Sequence, residues 1–265
     1  MSERKVALIT GASEGLGVEF ARVFAARGHD LALVARRQDK LEALADEIAG
    51  RGRPRPLVIA LDLAPPEAPQ RLREALAAAG ASVEYLVNNA GYGLNGAFAD
   101  LPAEDQTAMV DLNCRALTAL TRLFLPDLER HRGGLLNVAS IAAFAPGPGM
   151  AVYYASKAYV LSLTEALAEE LRPAGVRVSA LCPGPVLTGF QSRAGMGGSF
   201  QTPPGVASAR ETVEAGYAGL MAGRRVVVPG VVNQALAAGM AWIPHGISLP
   251  QLAARQAKRR PQGSK

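Results

Sequence analysis

Ser140 in the run NVAS stands thirteen residues before Tyr153, and Tyr153 stands four before Lys157 in YYASK. On a helix the four-residue spacing puts a phenol and an ammonium on one face, close enough to touch. An ammonium there stabilises phenolate, which predicts a tyrosine pKa drawn down toward a range useful for proton transfer. Ser140 would supply a hydroxyl to hold a carbonyl oxygen. Near the N-terminus, TGASEGLG directly follows the apolar run KVALIT. Its glycines, Gly11, Gly15 and Gly17, follow a Gly-x-x-x-Gly-x-Gly spacing, not the commoner Gly-x-Gly-x-x-Gly. Missing side chains let the backbone turn tightly there and approach a pyrophosphate resting at a helix N-terminus.

These groups must be positioned by the elements between them, and strands and helices alternate along the chain. Continuous apolar runs predict strands at 5–10, 31–35, 57–61, 85–88, 135–139 and 176–181, with a seventh at 223–229. Helical patterns fall at 15–28, 39–48, 66–79, 102–131 and 151–172, with Asp39 as a plausible cap and a break near Pro126. The fold class this predicts is α/β: one Rossmann-type domain over 1–265, a doubly wound parallel sheet of about seven strands with helices on both faces. Ligands of such sheets bind beyond the C-terminal strand ends, where strand order reverses. TGASEGLG, NNAG, Ser140 and CPGP all follow strands and are expected to converge on one crevice.

Composition fits this reading. Of 265 residues, 49% are hydrophobic and 19% charged, enough apolar mass for a large core and too little charge for disorder. Cys114 and Cys182 sit in apolar runs and are expected as buried thiols. His29, His131 and His245 have no ligand spacing, so no metal site is expected. MSERKVALIT has no long apolar stretch, which argues against a signal peptide and for a cytoplasmic protein. The net charge of +5 is tilted by the tail ARQAKRRPQGSK. That tail is either a solvated terminus or a surface that touches an anionic membrane; no nucleic-acid motif accompanies it.

Together the glycine turn, NNAG, Ser140 and Tyr153-x-x-x-Lys157 resemble the short-chain dehydrogenase/reductase family over roughly residues 4–230. The resemblance implies that Thr10 and 88–91 brace the glycine loop. Gly11, Ser13, Gly15, Leu16 and Gly17 would then hold the cofactor pyrophosphate, and Asn89, Ala90 and Gly91 would lie along its adenosine side. It also places Asp62 and Leu63 near the adenine, although Asp62 reads equally as a turn cap. Cofactor choice is read beyond the second strand, where an acid would accept from a ribose 2′-hydroxyl. Arg36 and Arg37 stand there instead, with Ser13 available to the same group. A guanidinium pairs well with a phosphate, which favours NADP over NAD, unless the two arginines merely solvate a helix start.

By the same resemblance, Tyr153 is the general acid in carbonyl reduction and the base in alcohol oxidation. Lys157 lowers its pKa and bonds the nicotinamide ribose. Ser140 orients the substrate oxygen, and Asn113, an amide in an apolar helix, links Lys157 to solvent. Tyr154 lies three residues from Lys157, but the family spacing selects Tyr153. Pro183, Gly184, Val186 and Thr188 would flank the nicotinamide. Glycines and the apolar Phe190, Met196 and Phe200 predict a lid over about 189–210. Tyr92 and its neighbours to 95, with 141–150 and its Phe144, Pro146 and Pro148, are expected as uncharged pocket walls for an apolar ketone or aldehyde. The extension 231–265 is expected to cover the pocket, join a subunit interface or rest on a membrane. The family implies a homodimer or homotetramer packed through helices 102–131 and 151–172. A nucleotide-sensing protein without catalysis is the alternative, and epimerisation or dehydration on the same fold also stays open.

Overall fold

β1 (Arg4–Thr10) buries its last five residues, as an apolar run covered on both faces must. Alternate side chains go to opposite faces. Val6 and Leu8 pack with Leu72, Leu120 and Phe124, while Ala7 and Ile9 pack with Phe20, Phe24 and Leu220. The computed structural model describes residues 3–186, 207–242, 246, 249–250 and 253–254. After β1 come α1 (Leu16–Ala26), β2 (Asp30–Ala35), α2 (Gln38–Gly50), β3 (Leu57–Ala60), α3 (Ala68–Ala78) and β4 (Ala81–Asn88). α4 (Ala103–Val110), a π-helical turn (Asp111–Ala116), α5 (Leu117–His131), β5 (Gly134–Val138) and a 3-10 turn (Ile141–Phe144) follow. The chain continues through α6 (Ala151–Glu170), β6 (Arg177–Leu181), α7 (Ala209–Met221), β7 (Val226–Val227) and α8 (Val231–Trp242).

The strands form one parallel sheet in the order β3-β2-β1-β4-β5-β6-β7. Order reverses between β1 and β4, so Thr10 and Asn88 end the two strands that flank the switch point. The expected doubly wound α/β fold is present. No helix among the described residues is long and apolar enough to cross a membrane.

Three local expectations are corrected. Asp39 is not a cap: α2 already begins at Gln38, because Arg37 is still extended and its carbonyl accepts from Leu41 N at 3.2 Å. Pro126 does not break its helix but lies inside α5; the irregularity falls upstream, at the π-helical turn. β4 begins four residues before the expected 85, its first residues pairing with Arg4 to Val6 ahead of a register shift.

A buried polar ladder ties the sheet to two helices. Asn88 Nδ2 donates to Thr121 Oγ1 at 3.0 Å and to Asn137 Oδ1 at 2.9 Å. Asn137 Nδ2 in turn donates to Thr164 Oγ1 on α6 at 2.9 Å. Cys182 is buried and Cys114 half-buried, and both are free thiols.

At the opposite end of the sheet His29 lies between the rings of Phe24 and Tyr85, and its Nε2 is 2.9 Å from Tyr217 Oη. Burial holds its pKa below the usual imidazole value; Glu84 pulls it up and Arg177 pushes it down. The unfolded imidazole, near about 6.5, therefore takes a proton first as pH falls, and stability should decline from there downward. Denaturant midpoints at about pH 7.5 and about pH 5.5 test this. The wild type should lose more stability between them than His29→Gln; equal losses would remove His29 as a cause.

Candidate active site

The glycine turn leaves β1 with positive φ at Gly11 (65°) and Gly15 (58°), values a side chain disfavours. A Cβ on Gly11 would stand 2.9 Å from Asn89 Nδ2 and 3.0 Å from Ala90 Cα. One on Gly17 would run into the Gly11 carbonyl. The turn is thus pressed against the loop after β4 on one side and the start of α1 on the other. Thr10 Oγ1 accepts from Asn89 N and Ala90 N, both at 3.0 Å, and donates to Val87 O. Asn89 Nδ2 donates to the carbonyls of Thr10 at 2.9 Å and Gly11 at 3.2 Å. Thr10, Asn89 and Ala90 thus tie the turn to the loop after β4, whereas the Asn88 amide turns to the buried ladder. No side chain caps α1, so its first-turn N–H groups remain for an anion.

One cavity of about 850 Å³ runs along the C-terminal strand ends, from Gly11 after β1 and Arg36 after β2 to Ser140 after β5 and Gly184 after β6. Its reach across the ends of β1, β2, β5 and β6, the glycine turn and the uncapped helix start fit a dinucleotide. Leu16, Leu63, Asn89, Ala90, Gly91, Pro183 and Val186 also line it. Asp62 does so as well, while its Oδ1 accepts from Ala64 N at 3.0 Å, so it caps its own turn. Arg36 and Arg37 are exposed at the cavity edge, and Arg37 Nη2 donates to Ser13 Oγ at 3.1 Å. Thr188, the lid segment as far as 206 and the basic tail beyond 254 lie outside the described residues; the expected lid end is corrected, because Ser208 already caps α7, which begins at Ala209.

α6 buries one stripe: Tyr153, Ser156, Lys157, Val160, Leu161 and Thr164. That stripe brings Tyr153 and Lys157 to the cavity beside Ser140. Ser140 is extended and caps the 3-10 turn, its Oγ accepting from Ala142 N at 3.1 Å. Lys157 Nζ donates to Val138 O at 2.8 Å and lies 5.8 Å from the Tyr153 ring centroid. Burial pushes the Tyr153 phenol up to about 12, with a hydrogen bond to Ser140 pulling the other way. Burial likewise pushes the Lys157 ammonium down to about 8. The expected lowering of the tyrosine is not seen in this arrangement: desolvation is the largest influence on each group, and the ammonium donates to a strand carbonyl.

Asn113 sits in the π-helical turn, not in a regular helix. Its Nδ2 donates to Tyr92 O at 2.9 Å and Ser156 Oγ at 3.0 Å, and its Oδ1 accepts from Tyr92 N at 3.1 Å. Ser156 Oγ passes the contact on to Tyr153 O at 2.7 Å. The Asn113 side chain therefore braces the loop after β4 against α6. A Cβ on Gly91 would stand 2.9 Å from Asn113 Oδ1 and 3.5 Å from Lys157 Nζ, so this glycine leaves them room.

Around Tyr153 the apolar wall comes from Ala142 and Met150 with Tyr92, Leu94 and Tyr154, while Met109 packs with them without lining the cavity. Phe144, Pro146 and Pro148 are not in the wall. Phe144 turns to Leu117 and Val160, and Pro146 is exposed. Several contributors escaped the sequence reading. Glu14 pairs with Arg37, Ser156 joins Asn113 to α6, Met240 of α8 reaches the cavity, and Asp105, Ala108 and Leu112 line it, Asp105 bringing a charge to a wall expected to be uncharged. Asn233 explains how α8 comes so near, since its amide sits where a side chain on Gly184 would be. An acid in a glycine turn was a visible signal for the first; nothing local marks the others.

A parallel sheet with a glycine turn at its switch point is the architecture of a dinucleotide-binding α/β protein. Residues 5–196 match the family model described as short chain dehydrogenase, and the chain belongs to that family of oxidoreductases. The very-long-chain 3-oxoacyl-CoA reductase of Phaeosphaeria nodorum is 37% identical over 180 residues, 66% of this chain. The match spans 53% of that reductase, about half its length. Oxidoreductase UcpA of Salmonella typhimurium is 37% identical over 186 residues, 69% of this chain and 70% of UcpA. Among solved structures, a short-chain dehydrogenase from Sphingobium yanoikuyae in complex with NADPH superposes with a TM-score of 0.78 at 32% identity, covering 98% of each chain. The bulky-bulky ketone specific alcohol dehydrogenase from Comamonas testosteroni gives 0.74 at 29% identity, covering 100% of this chain and 98% of its own.

Proposed function

We propose that this protein is an NADP(H)-dependent carbonyl reductase or alcohol dehydrogenase acting on a bulky apolar ketone or aldehyde. The observation that carries the reading is the meeting of Ser140, Tyr153 and Lys157 with the glycine turn in one cavity. The nicotinamide, when bound, supplies hydride to a carbonyl carbon or accepts it from an alcohol. Ser140 and Tyr153 hold the substrate oxygen, and the Tyr153 phenol gives its proton to that oxygen as the C=O becomes C–OH. Lys157 favours the tyrosinate left behind, and the proton is restored along Lys157 and the Asn113 turn. The alcohol direction reverses each transfer.

Arg36 and Arg37, with Ser13, support a 2′-phosphate site and hence NADP over NAD. The apolar wall supports a bulky substrate, consistent with what the Comamonas and Phaeosphaeria relatives are named for. Met240 supports a role for α8 over the pocket. Exposed Val110 and Tyr159 on α4 and α6 support packing of these helices in a homodimer or homotetramer.

Paired titrations with NADPH and NADH, then NADPH oxidation across small diketones, bulky aryl ketones and 3-oxoacyl thioesters, test the reading. Turnover of bulky members with NADPH supports it. Tight NADPH binding with no turnover of any member would favour a nucleotide sensor. Arg36→Asp should weaken NADPH binding by about 100-fold while NADH binding holds or improves. Unchanged NADPH affinity would show that Arg36 is not the discriminator.

A further inference from the structure

Glu14 is an acid inside a turn that otherwise offers backbone N–H groups to an anion, and the proposed reaction has no use for it. Its Oε2 lies 2.6 Å from Arg37 Nη2. The same nitrogen donates to Ser13 Oγ at 3.1 Å. Ser13, Glu14, Arg36 and Arg37 all face the cavity. Arg36 makes no ion pair among the described residues, so the two adjacent guanidinium groups are not equivalent.

A phosphate arriving beyond β2 meets one arginine with its charge uncommitted and another already matched by a carboxylate. To pair with Arg37 it must displace Glu14 or share the guanidinium with it. Like charges at that separation repel, and because Glu14 is paired with Arg37 the repulsion bears most on a ligand that brings a 2′-phosphate to that arginine. The Arg37 side chain is about half-exposed although Glu14 is mostly covered, so the pair adds little to folding and the arginine can swing away.

Resting on the NADP reading, we propose that Glu14 is a specificity-determining residue, an internal carboxylate that competes with the cofactor 2′-phosphate for Arg37. Arg36 and Ser13 are then the principal phosphate contacts. Glu14 holds the preference for the phosphorylated cofactor below what two unpaired arginines would give, and its removal releases Arg37 to the phosphate.

The probes are 2′,5′-ADP and 5′-AMP, which differ only in the 2′-phosphate, titrated calorimetrically into the wild type, Glu14→Gln, Arg37→Gln and the double variant. Glu14→Gln should bind 2′,5′-ADP about five- to tenfold tighter, with 5′-AMP changed by less than about twofold. Arg37→Gln alone should cost less than about threefold, since that charge is already matched. The double variant, which keeps the local net charge of the wild type, should lose the gain. Three results would overturn the inference: an unchanged ratio in Glu14→Gln, weaker 2′,5′-ADP binding in Glu14→Gln, or a gain that survives in the double variant. Wild type that binds 5′-AMP as tightly as 2′,5′-ADP would sink the NADP reading and this inference together. A wild-type preference with no gain in Glu14→Gln sinks the inference alone.

Discussion

Tyr153→Phe is expected to lower the turnover number for carbonyl reduction by about 10²- to 10⁴-fold, the usual contribution of a positioned acid. NADPH affinity should stay within about twofold, since the ring and its packing survive and only the hydroxyl is lost. Tyr153 lines the cavity beside Ser140, in position to give its proton to a substrate oxygen. The pKa directions sharpen the prediction. With the phenol near about 12, Tyr153 carries its proton at neutral pH, as an acid for reduction must. Lys157 loses its proton near about 8, and with it the charge that favours tyrosinate. Reduction, read as kcat/KM, should be level below that pH and fall as pH rises through it. Alcohol oxidation needs the phenol deprotonated and should instead rise toward alkaline pH. Steady-state profiles in both directions check this, and residual turnover of Tyr153→Phe above about a tenth of wild type would remove the acid assignment.

Gly17→Ala should weaken NADPH binding by about 100-fold, near 3 kcal/mol, which is at the upper end of what overpacking costs. Gly17 has ordinary helical backbone, so the penalty is space. Its new methyl would meet Gly11 and Ala12, with Ala12 Cα at 2.9 Å and the Gly11 carbonyl nearer still. Backbone cannot swing aside as a side chain can, so the turn must move from the helix start and take its N–H groups with it. Gly50→Ala is the control, because nothing lies within 4 Å of a Cβ there. Fluorescence titration with NADPH distinguishes the two variants. Equal affinities would mean that the close approach of α1 to the turn does not shape the cofactor site.

The parallel sheet was legible because strands buried on both faces must be apolar without a break. KVALIT and LALVA announce themselves that way. The start of β4 was not, because Ala81 to Glu84 mixes small, polar and charged residues and is a strand only through its pairing with β1. Tyr153 and Lys157 were legible from one helical spacing, and Ser140 from its place after β5. The pKa order was not, since desolvation depends on how much chain closes over a group, and spacing carries no trace of that. Phe144 was misplaced for a related reason: composition gives its bulk but not the face of the 3-10 turn from which it leaves. The Glu14–Arg37 and Asn113–Tyr92 pairs join residues more than twenty positions apart, beyond the reach of local pattern.

The ladder of Asn88, Asn137, Thr121 and Thr164 bears on how this sequence can drift. Each amide nitrogen and hydroxyl answers another across β4, β5, α5 and α6, while Asn88 Oδ1 is buried without a partner among the described residues. Exchanging any one for an apolar residue strands a buried donor or acceptor, at a cost of roughly 1–3 kcal/mol, a sizeable share of the stability of a typical domain. Replacing the whole set with well-packed apolar groups can be nearly neutral, because no orphan is left. Single steps away from the ladder are therefore uphill, while the distant end state is level. Descendants of this chain should keep the four residues or change them as a block, so the polar seam behaves in heredity as a single character written at four positions.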